Sequence, residues 1–296
     1  MTDAEKYNYS APVAQLLMLG EPEGGEPKEW RNYLELGFTA EDVPELLRLS
    51  LAVDELWDEE AEAENVEGYA PYHAWRVLGQ LRAEAAIEPL LTLFKLQSDN
   101  EWVMEELPEV YGLIGPVALP ALTAFMSDHS NDEWPRIHAS ISVEKIGQGS
   151  PEARSLAIDI LSKQLEAFHE TEYEFNASLI SNLIELDAKE AAPLIERAFA
   201  AEAVELDVVG EWEDVQEALG LLSPEELEEF HQRREAERRQ RVEAFDRAMG
   251  RETAGPLNIA TPSNTYWRQT PRVSVGKKMK QKRKIAKQAR KKNRKR

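Results

Sequence analysis

The chain has 296 residues, which is enough for about two ordinary domains or one elongated one. It contains no cysteine, and this excludes disulfides, thiolate catalysis and metal sites with cysteine ligands. Its formal charge is −20, yet thirteen of the last twenty residues are Lys or Arg, so the other 276 residues carry −33. This split indicates a basic tail with a partner of its own.

The beginning of the sequence shows no basic segment followed by an apolar stretch, so we expect no signal peptide. No apolar run approaches the ~20 residues that a membrane-spanning helix needs. A chain without cysteine also fits a reducing compartment. We therefore expect a cytoplasmic protein with no membrane span.

Residues 1–69 are predicted to form an N-terminal helical cap. Short helices are expected at 11–19 and 29–36, with a longer one at 38–57. Thr39 can cap the longer helix, with Asp42 as the acidic partner three residues on in a capping box. The weak periodicity of this region is typical of the end of a repeat protein.

An internal repeat begins after this region. The sequence SDNEW at 98–102 returns as SNDEW at 130–134, and the residues that follow also match. Four apolar anchor residues, Leu81, Ile114, Ile146 and Leu186, are separated by 33, 32 and 40 residues. A period of this length indicates stacked supersecondary units.

Each repeat is predicted to be a helix, a short turn and a second helix. Three prolines lie six to eight residues after an anchor, where proline favours the first turn of the second helix. They are Pro89, Pro120 and Pro193.

Within one repeat, apolar residues recur at i, i+3, i+4 and i+7 of the first helix and at similar intervals in the second. These residues are Leu107, Val110, Tyr111 and Ile114, followed by Leu119, Leu122 and Phe125. Because a lone pair of helices cannot bury both faces, the pattern predicts an all-α fold in which residues 70–222 form an α-solenoid.

Three segments carry a family resemblance: AWRVLGQL at 74–81, AAIEPLL at 85–91 and AAPLIERAF at 191–199. They resemble HEAT-like repeats of the short bacterial kind, which also occur in phycobilin lyase subunits. The resemblance covers about residues 70–220, and the whole chain is similar to a group of bacterial repeat proteins. It implies a solenoid of helical hairpins that binds proteins.

Beyond the repeats, a closing helix is predicted at 211–222 and a long C-terminal helix at 223–250. Ser223 is a cap with Pro224 at the first helical position and Glu226 as its capping-box partner, and Gly250 is a plausible stop. Residues 251–276 mix Pro, Gly, Ser, Thr and Asn without a period, so we interpret them as a linker. Tyr266 and Trp267 within it are candidates for docking onto the body or for stacking on bases.

The tail, residues 277–296, contains no acidic or aromatic residue, so we expect it to bind RNA or another polyanion through the backbone, without sequence specificity. Two alternatives stay open: contact with the acidic body or an acidic protein, or no specific role. The thirteen candidate polyanion-binding residues are Lys277, Lys278, Lys280, Lys282, Arg283, Lys284, Lys287, Arg290, Lys291, Lys292, Arg294, Lys295 and Arg296.

The segment VGKKMK at 275–280 is similar to part of the SEC-C zinc motif, which often ends bacterial proteins. That motif requires Cys and His ligands. The chain has no Cys, and none of its five His residues lies beyond His231. The tail therefore lacks the zinc ligands of this motif.

No nucleotide-binding loop or His-Glu-x-x-His motif occurs, and the His residues have no ligand-type spacing, so we predict no catalytic site, metal or cofactor. His73 and His138, near the starts of two first helices, are expected to be packing or capping residues. Trp75, Trp102 and Trp134 recur at the starts of repeats. They are either shared packing residues or a ladder that binds a protein partner.

These features favour a non-enzymatic interaction scaffold. Its acidic repeat surface is expected to bind a protein partner while the basic tail binds RNA or another polyanion. The alternative is a lyase-like or enzyme-assisting subunit that acts on a protein or a chromophore. The sequence leaves enzymatic activity open.

Overall fold

The computed structural model describes residues 8–56, 66–98 and 100–248, with side chains of the last helix described as far as residue 244. Within these ranges the secondary structure is helical throughout and no strand forms, which confirms the predicted all-α class. The chain divides into two compact units, Met1–Glu205 and Leu206–Arg296, hereafter unit 1 and unit 2. The predicted linker and tail, residues 251–296, lie outside the described residues.

Most of the described helices belong to unit 1. Its α-helices are α1 (Ala11–Ala14), α2 (Val43–Ser50), α3 (Val53–Leu56), α4 (Ala70–Gln80), α5 (Ile87–Leu96), α6 (Glu101–Ile114), α7 (Leu119–Ser127), α8 (Glu133–Gly147), α9 (Pro151–Leu165), α10 (Tyr173–Glu185) and α11 (Ala192–Ala200). Short 3-10 helices lie at Gln15–Met18, Pro27–Glu29, Tyr33–Leu36, Ala40–Asp42, Glu67–Tyr69, Glu84–Ala86, Pro116–Ala118 and Lys189–Ala191. The α-helices of unit 2 are α12 (Leu206–Val209), α13 (Trp212–Ala218) and α14 (Pro224–Ala248).

Helices α4 to α11 form four consecutive hairpins. The first helices, α4, α6, α8 and α10, pack side by side in chain order. The second helices, α5, α7, α9 and α11, pack on one another in the same order. Unit 1 therefore contains a layer of first helices and a layer of second helices, and this arrangement is consistent with a repeat architecture.

The second helices begin where the prolines predict. Pro120 and Pro193 are the second residues of α7 and α11, and Pro89 is the third residue of α5. A 3-10 turn precedes each of these helices. Proline is tolerated in a first turn because its missing N–H would have no partner within the helix.

Both predicted capping boxes form. Asp42 Oδ2 accepts the Thr39 N–H at 2.8 Å, while Thr39 accepts a backbone N–H of the following turn. At the start of α14, Glu226 accepts the Ser223 N–H at 2.8 Å and Ser223 Oγ accepts the Glu226 N–H at 3.3 Å. Because these contacts depend on residues three positions apart, the sequence alone was enough to predict them.

The helix predicted at 38–57 is shorter and interrupted. After the turn Ala40–Asp42, α2 ends at Ser50, and α3 follows at Val53–Leu56. The Trp75 indole N–H donates to the Ser50 carbonyl at 2.9 Å. In a continuous helix the Ser50 carbonyl would accept from the Asp54 N–H. Here it accepts from the Trp75 side chain, so a contact with α4 accompanies the break.

The apolar positions predicted from the repeat lie in the core. Ile114, Ile146 and Leu186 are buried, whereas Leu81, just after α4, is half-buried. The apolar faces predicted for α6 and α7 are buried in full. Burial of these side chains against neighbouring hairpins is the main stabilising term that this architecture offers.

Polar side chains from one hairpin bind carbonyls at the end of the preceding one. Asn131 Nδ2 donates to the Phe125 carbonyl at 2.8 Å, and Arg136 Nε donates to the Met126 carbonyl at 2.7 Å. Asn176 repeats the first contact with the Phe168 carbonyl at 3.0 Å. Phe125 and Met126 lie in the last turn of α7, where carbonyls have no partner within the helix, and Phe168 lies in the turn after α9. These buried donors therefore satisfy carbonyls that would otherwise be costly to bury.

Glycine permits close packing at the end of α8. A Cβ atom on Gly147 would lie 2.7 Å from Ala157 Cβ and 2.9 Å from Leu186 Cδ2.

We expect Gly147→Ala to lower the free energy of unfolding by about 1–3 kcal/mol, because overpacking outweighs the helix preference of alanine. Urea unfolding followed by circular dichroism measures this. Gly25→Ala, where a Cβ meets nothing within 4 Å, is the matched control, and equal effects at both sites would contradict the packing argument.

Within unit 2, polar contacts join α14 to α13. Phe230 is buried, and Arg234 pairs with Asp214, which also accepts the Glu211 N–H at 2.8 Å. His231 Nε2 lies 2.6 Å from Glu217 Oε1. From residue 231 to 244, α14 is exposed at almost every position, so these contacts act mainly on its first half.

Over the described residues, no single helix has the length and apolar composition to cross a membrane. The segments Glu101–Ile114 and Pro116–Ser127 meet the length and composition requirement only when they are joined, and they bend by 111° at the break between them.

Candidate functional site

Arg76 of α4 is the centre of a buried polar cluster in unit 1. Its Nε donates to Glu106 Oε2 of α6 at 2.8 Å, and its Nη2 donates to the other carboxylate oxygen. The same guanidinium donates to the carbonyls of Glu23 at 2.6 Å and Gly24 at 2.9 Å and lies 4.5 Å from the centre of the Trp30 ring. One fully buried cation therefore joins two hairpins to the N-terminal segment.

His73 and Tyr33 extend this cluster. His73 Nε2 lies 2.8 Å from the Gly20 carbonyl, which can only accept, so this nitrogen carries the proton. Nδ1 is then the acceptor for the Tyr33 hydroxyl. Both side chains are buried, and the imidazole is neutral with a single tautomer set by its partners.

Burial shifts the pKa values of this cluster. It lowers the pKa of His73 to about 4, with the nearby cation Arg76 adding to the effect, and it raises the pKa of Tyr33 to about 12. Burial also raises the pKa of the Glu106 carboxyl, and pairing with Arg76 opposes that rise. These directions follow from the loss of hydration of each charged form.

Shifted pKa values often mark active sites, but the geometry here supports a structural role. Both oxygens of Glu106 accept from Arg76, and both ring nitrogens of His73 have partners. Each of these side chains is less than a tenth exposed. The cluster therefore holds residues 20–33 against α4 and α6, and burial fits the packing role predicted for His73.

The three tryptophans predicted as a possible ladder do not share one environment. Trp75 is fully buried and donates to the Ser50 carbonyl, so it cannot present its ring to a partner. The ladder interpretation is therefore wrong for Trp75, which lies beyond the first turn of α4 on a helix buried along almost its whole length, and its burial fits the alternative of a packing residue. Trp102 and Trp134 are half-buried at the second position of α6 and α8.

Two tyrosines lie at the starts of the first helices that have no tryptophan there, α4 and α10. Tyr69 directly precedes α4 and is half-buried, and Tyr173 is the first residue of α10 with 59% of its side chain exposed. Each of the four first helices therefore begins with an accessible aromatic residue. For Tyr173 the signal in the sequence was an aromatic residue beside a Glu, which a search for tryptophan alone does not find; Tyr69, between Gly68 and Ala70, carries no such signal.

A second buried arginine lies near the start of α10. Arg136 Nη1 contacts Glu172 Oε2 at 2.9 Å, and its guanidinium lies 4.3 Å from the centre of the Phe175 ring. Glu133 Oε1 accepts the Phe175 N–H at 3.2 Å. These contacts place the starts of α8 and α10 next to each other.

Across the other end of the same layer, Lys145 of α8 bonds to Glu109 of α6 at 3.0 Å. Burial lowers the pKa of Lys145, but the neighbouring carboxylates of Glu144 and Glu109 outweigh it and raise the pKa overall. This lysine therefore pairs with carboxylates of α6 and α8 at that end of the layer.

The remaining predicted site residues cannot be placed. All thirteen tail cations, together with Tyr266 and Trp267, lie outside the described residues. In the part of the chain that the structure describes, no three His, Asp or Glu side chains converge in a way that could hold a metal ion.

Comparisons with models of protein families, with curated proteins and with solved structures find no match.

Proposed function

We propose that this protein is an interaction scaffold. In this proposal the hairpins of unit 1 form a HEAT-like α-solenoid whose acidic surface binds a protein partner. The tail, residues 277–296, binds RNA or another polyanion. The observation that carries the proposal is the opposite charge of the two parts, −33 for the first 276 residues and +13 for the tail.

The charge of the tail favours a polyanion over an uncharged ligand. Each contact between a cation and a phosphate releases a condensed counterion, so binding to RNA gains entropy and weakens as salt rises. No aromatic residue in the tail can stack on a base. Recognition is then expected to depend on phosphate density and little on base sequence.

The layer of first helices supports the protein-binding half of the proposal. Accessible side chains on α6 include Glu101, Trp102 and Glu105, and those on α8 include Glu133 and Trp134. Carboxylates beside aromatic rings can bind cationic side chains of a protein and repel nucleic acid. Two ligand classes can therefore bind to different parts of one chain.

Removing the tail tests the polyanion half. We expect the full chain to bind a 20-nucleotide oligo(U) RNA, with log K falling against log salt at a slope of about −4 if six phosphates are contacted. A chain ending at Gly276 is expected to lose this binding. Fluorescence anisotropy at several salt concentrations gives both quantities.

A matched control replaces the thirteen tail cations with glutamine and keeps the length of the chain. Loss of binding in this variant assigns the effect to charge. The polyanion half of the proposal is wrong if the truncated chain retains the affinity of the full chain, or if affinity does not change with salt.

A further inference from the structure

We propose that the aromatic edge of unit 1 binds an arginine-rich segment of the protein partner. The aromatic edge is the set of rings at the starts of the four first helices: Tyr69, Trp102, Trp134 and Tyr173. The inference rests on the proposed function, in which the repeat surface binds a protein, and it names the residues and the chemistry of that contact.

Two rings of the aromatic edge, Tyr69 and Trp102, are half-buried and packed against neighbouring rings. Trp102 stacks on Tyr72 with ring centres 5.1 Å apart and planes 16° apart, and the Tyr69 ring meets Trp102 at 6.2 Å. Because Tyr72 is buried, it fixes Trp102 from behind while part of the indole stays exposed. A ring that is already ordered loses little conformational entropy on binding.

Neighbouring contacts show that successive helix starts lie side by side. Tyr69 and Trp102 bring the start of α4 against that of α6, and Glu133 and the Phe175 N–H bring that of α8 against α10. Helices α6 and α8 are also neighbours, with Gly112 close to Lys145. The four rings therefore follow the order of the hairpins along one edge of the layer.

The carboxylates beside these rings select a cationic ligand. Glu101 precedes Trp102, Glu133 precedes Trp134, and Glu172 and Glu174 flank Tyr173. Glu172 already pairs with the buried Arg136, yet burial together with Glu174 and Glu172 still raises the pKa of Glu133. Since the carboxylates of Glu174 and Glu172 contribute to that rise, a cation placed beside Glu133 would oppose it.

Arginine suits the aromatic edge better than lysine does. Its planar guanidinium stacks on an aromatic face and donates to a carboxylate at the same time. The buried pairs of Arg76 with Trp30 and Arg136 with Phe175 show this geometry within the same unit.

The spacing of the helices indicates the form of the segment. Packed helices lie about 8–10 Å apart. A polyproline-II segment advances about 9 Å in three residues and returns to the same face. An arginine at every third residue therefore matches the step from one hairpin to the next, and Tyr69 and Trp102, whose ring centres are 6.2 Å apart, would share one arginine.

The test uses the full chain and a fluorescein-labelled peptide, (Arg-Ala-Pro)4, with binding measured by anisotropy. We expect the wild-type protein to bind it, and the variant carrying Trp102→Leu and Trp134→Leu to bind about tenfold more weakly, because leucine keeps apolar contact but lacks the ring face. Tyr173→Ala, at an exposed position, is a second variant that is expected to weaken binding without affecting folding. Leu156→Ala, at an exposed apolar position on the second helix α9 of the same unit, is the matched control and is expected to have no effect.

Two other peptides complete the design. We expect (Lys-Ala-Pro)4 to bind more weakly than the arginine peptide and (Glu-Ala-Pro)4 not to bind. The inference is overturned if the arginine peptide does not bind, if lysine equals arginine, or if the double variant and Tyr173→Ala both bind as the wild type does. RNA binding by the tail is measured separately, so either result can fail without the other.

Discussion

Replacing Arg76 with alanine is expected to lower the free energy of unfolding by about 3–5 kcal/mol. The change leaves the Glu106 carboxylate buried without its cation and removes the donors to the carbonyls of Glu23 and Gly24. An uncompensated buried charge is among the most costly defects in a fold. Urea unfolding followed by far-ultraviolet circular dichroism measures the loss.

Two comparison variants separate the buried charge from general effects of losing an arginine. Arg239→Ala breaks an exposed pair with Glu235 on α14, where a much smaller loss is expected because water already screens both charges. The double variant Arg76→Met, Glu106→Leu removes both charges and fills the space, so it is expected to cost less than Arg76→Ala alone. Equal losses for Arg76→Ala and Arg239→Ala would show that the buried pair does not stabilise the fold.

Acidification from pH 7 to pH 4 is expected to remove about 3 kcal/mol of stability through His73 alone. The pKa of His73 is about 4 in the folded chain, against 6.5 for an unburied imidazole. Above pH 6.5 the imidazole is neutral in both states and the group has no effect. Below it, the unfolded state binds a proton that the folded state excludes, so stability falls until the pH reaches the folded pKa.

Other groups titrate in the same range, so the measurement compares variants. His73→Gln cannot gain a proton, and its loss of stability between pH 7 and pH 4 should be smaller than that of the wild type by about 3 kcal/mol. His129→Gln is the comparison variant, because it makes the same substitution at an exposed position. If wild type and His73→Gln follow the same pH curve, the buried neutral imidazole is not the cause.

The pH prediction depends on the groups that surround His73. Tyr33 donates to Nδ1, and the cation Arg76 adds to the cost of a second positive charge, while Glu106 is occupied by Arg76. Protonation would remove the acceptor for the Tyr33 hydroxyl, so the N-terminal segment is expected to detach first. Faster amide hydrogen exchange in residues 20–36 at pH 4 than at pH 7 would detect this detachment.

Features that depend on neighbouring residues were predictable. The capping boxes at Thr39 and Ser223, and the prolines in the first turns of α5, α7 and α11, were confirmed where the sequence places them. Burial of Ile114, Ile146 and Leu186 was also predictable, because the period of the apolar residues marks the core face.

Features that depend on contacts between distant parts of the chain could not be predicted from the sequence. The burial of Trp75 and its bond to the Ser50 carbonyl depend on α2, which lies outside the repeat pattern. Arg76 and Glu106 are thirty residues apart, and Gly24 is more than fifty residues from Arg76. No pattern in the sequence pairs them.

The sequence by itself determined the helical class, the starts of α5, α7, α11 and α14, the hairpin period and the separation of charge between body and tail. Each of these follows from composition or from contacts within a few residues. The tertiary structure decided which polar groups are buried and paired, and which aromatic rings stay accessible at the helix starts. Those outcomes depend on how α4, α6, α8 and α10 pack side by side and on the N-terminal segment that covers α4. Burial and pairing belong to the packed assembly of helices, which no local stretch of residues specifies.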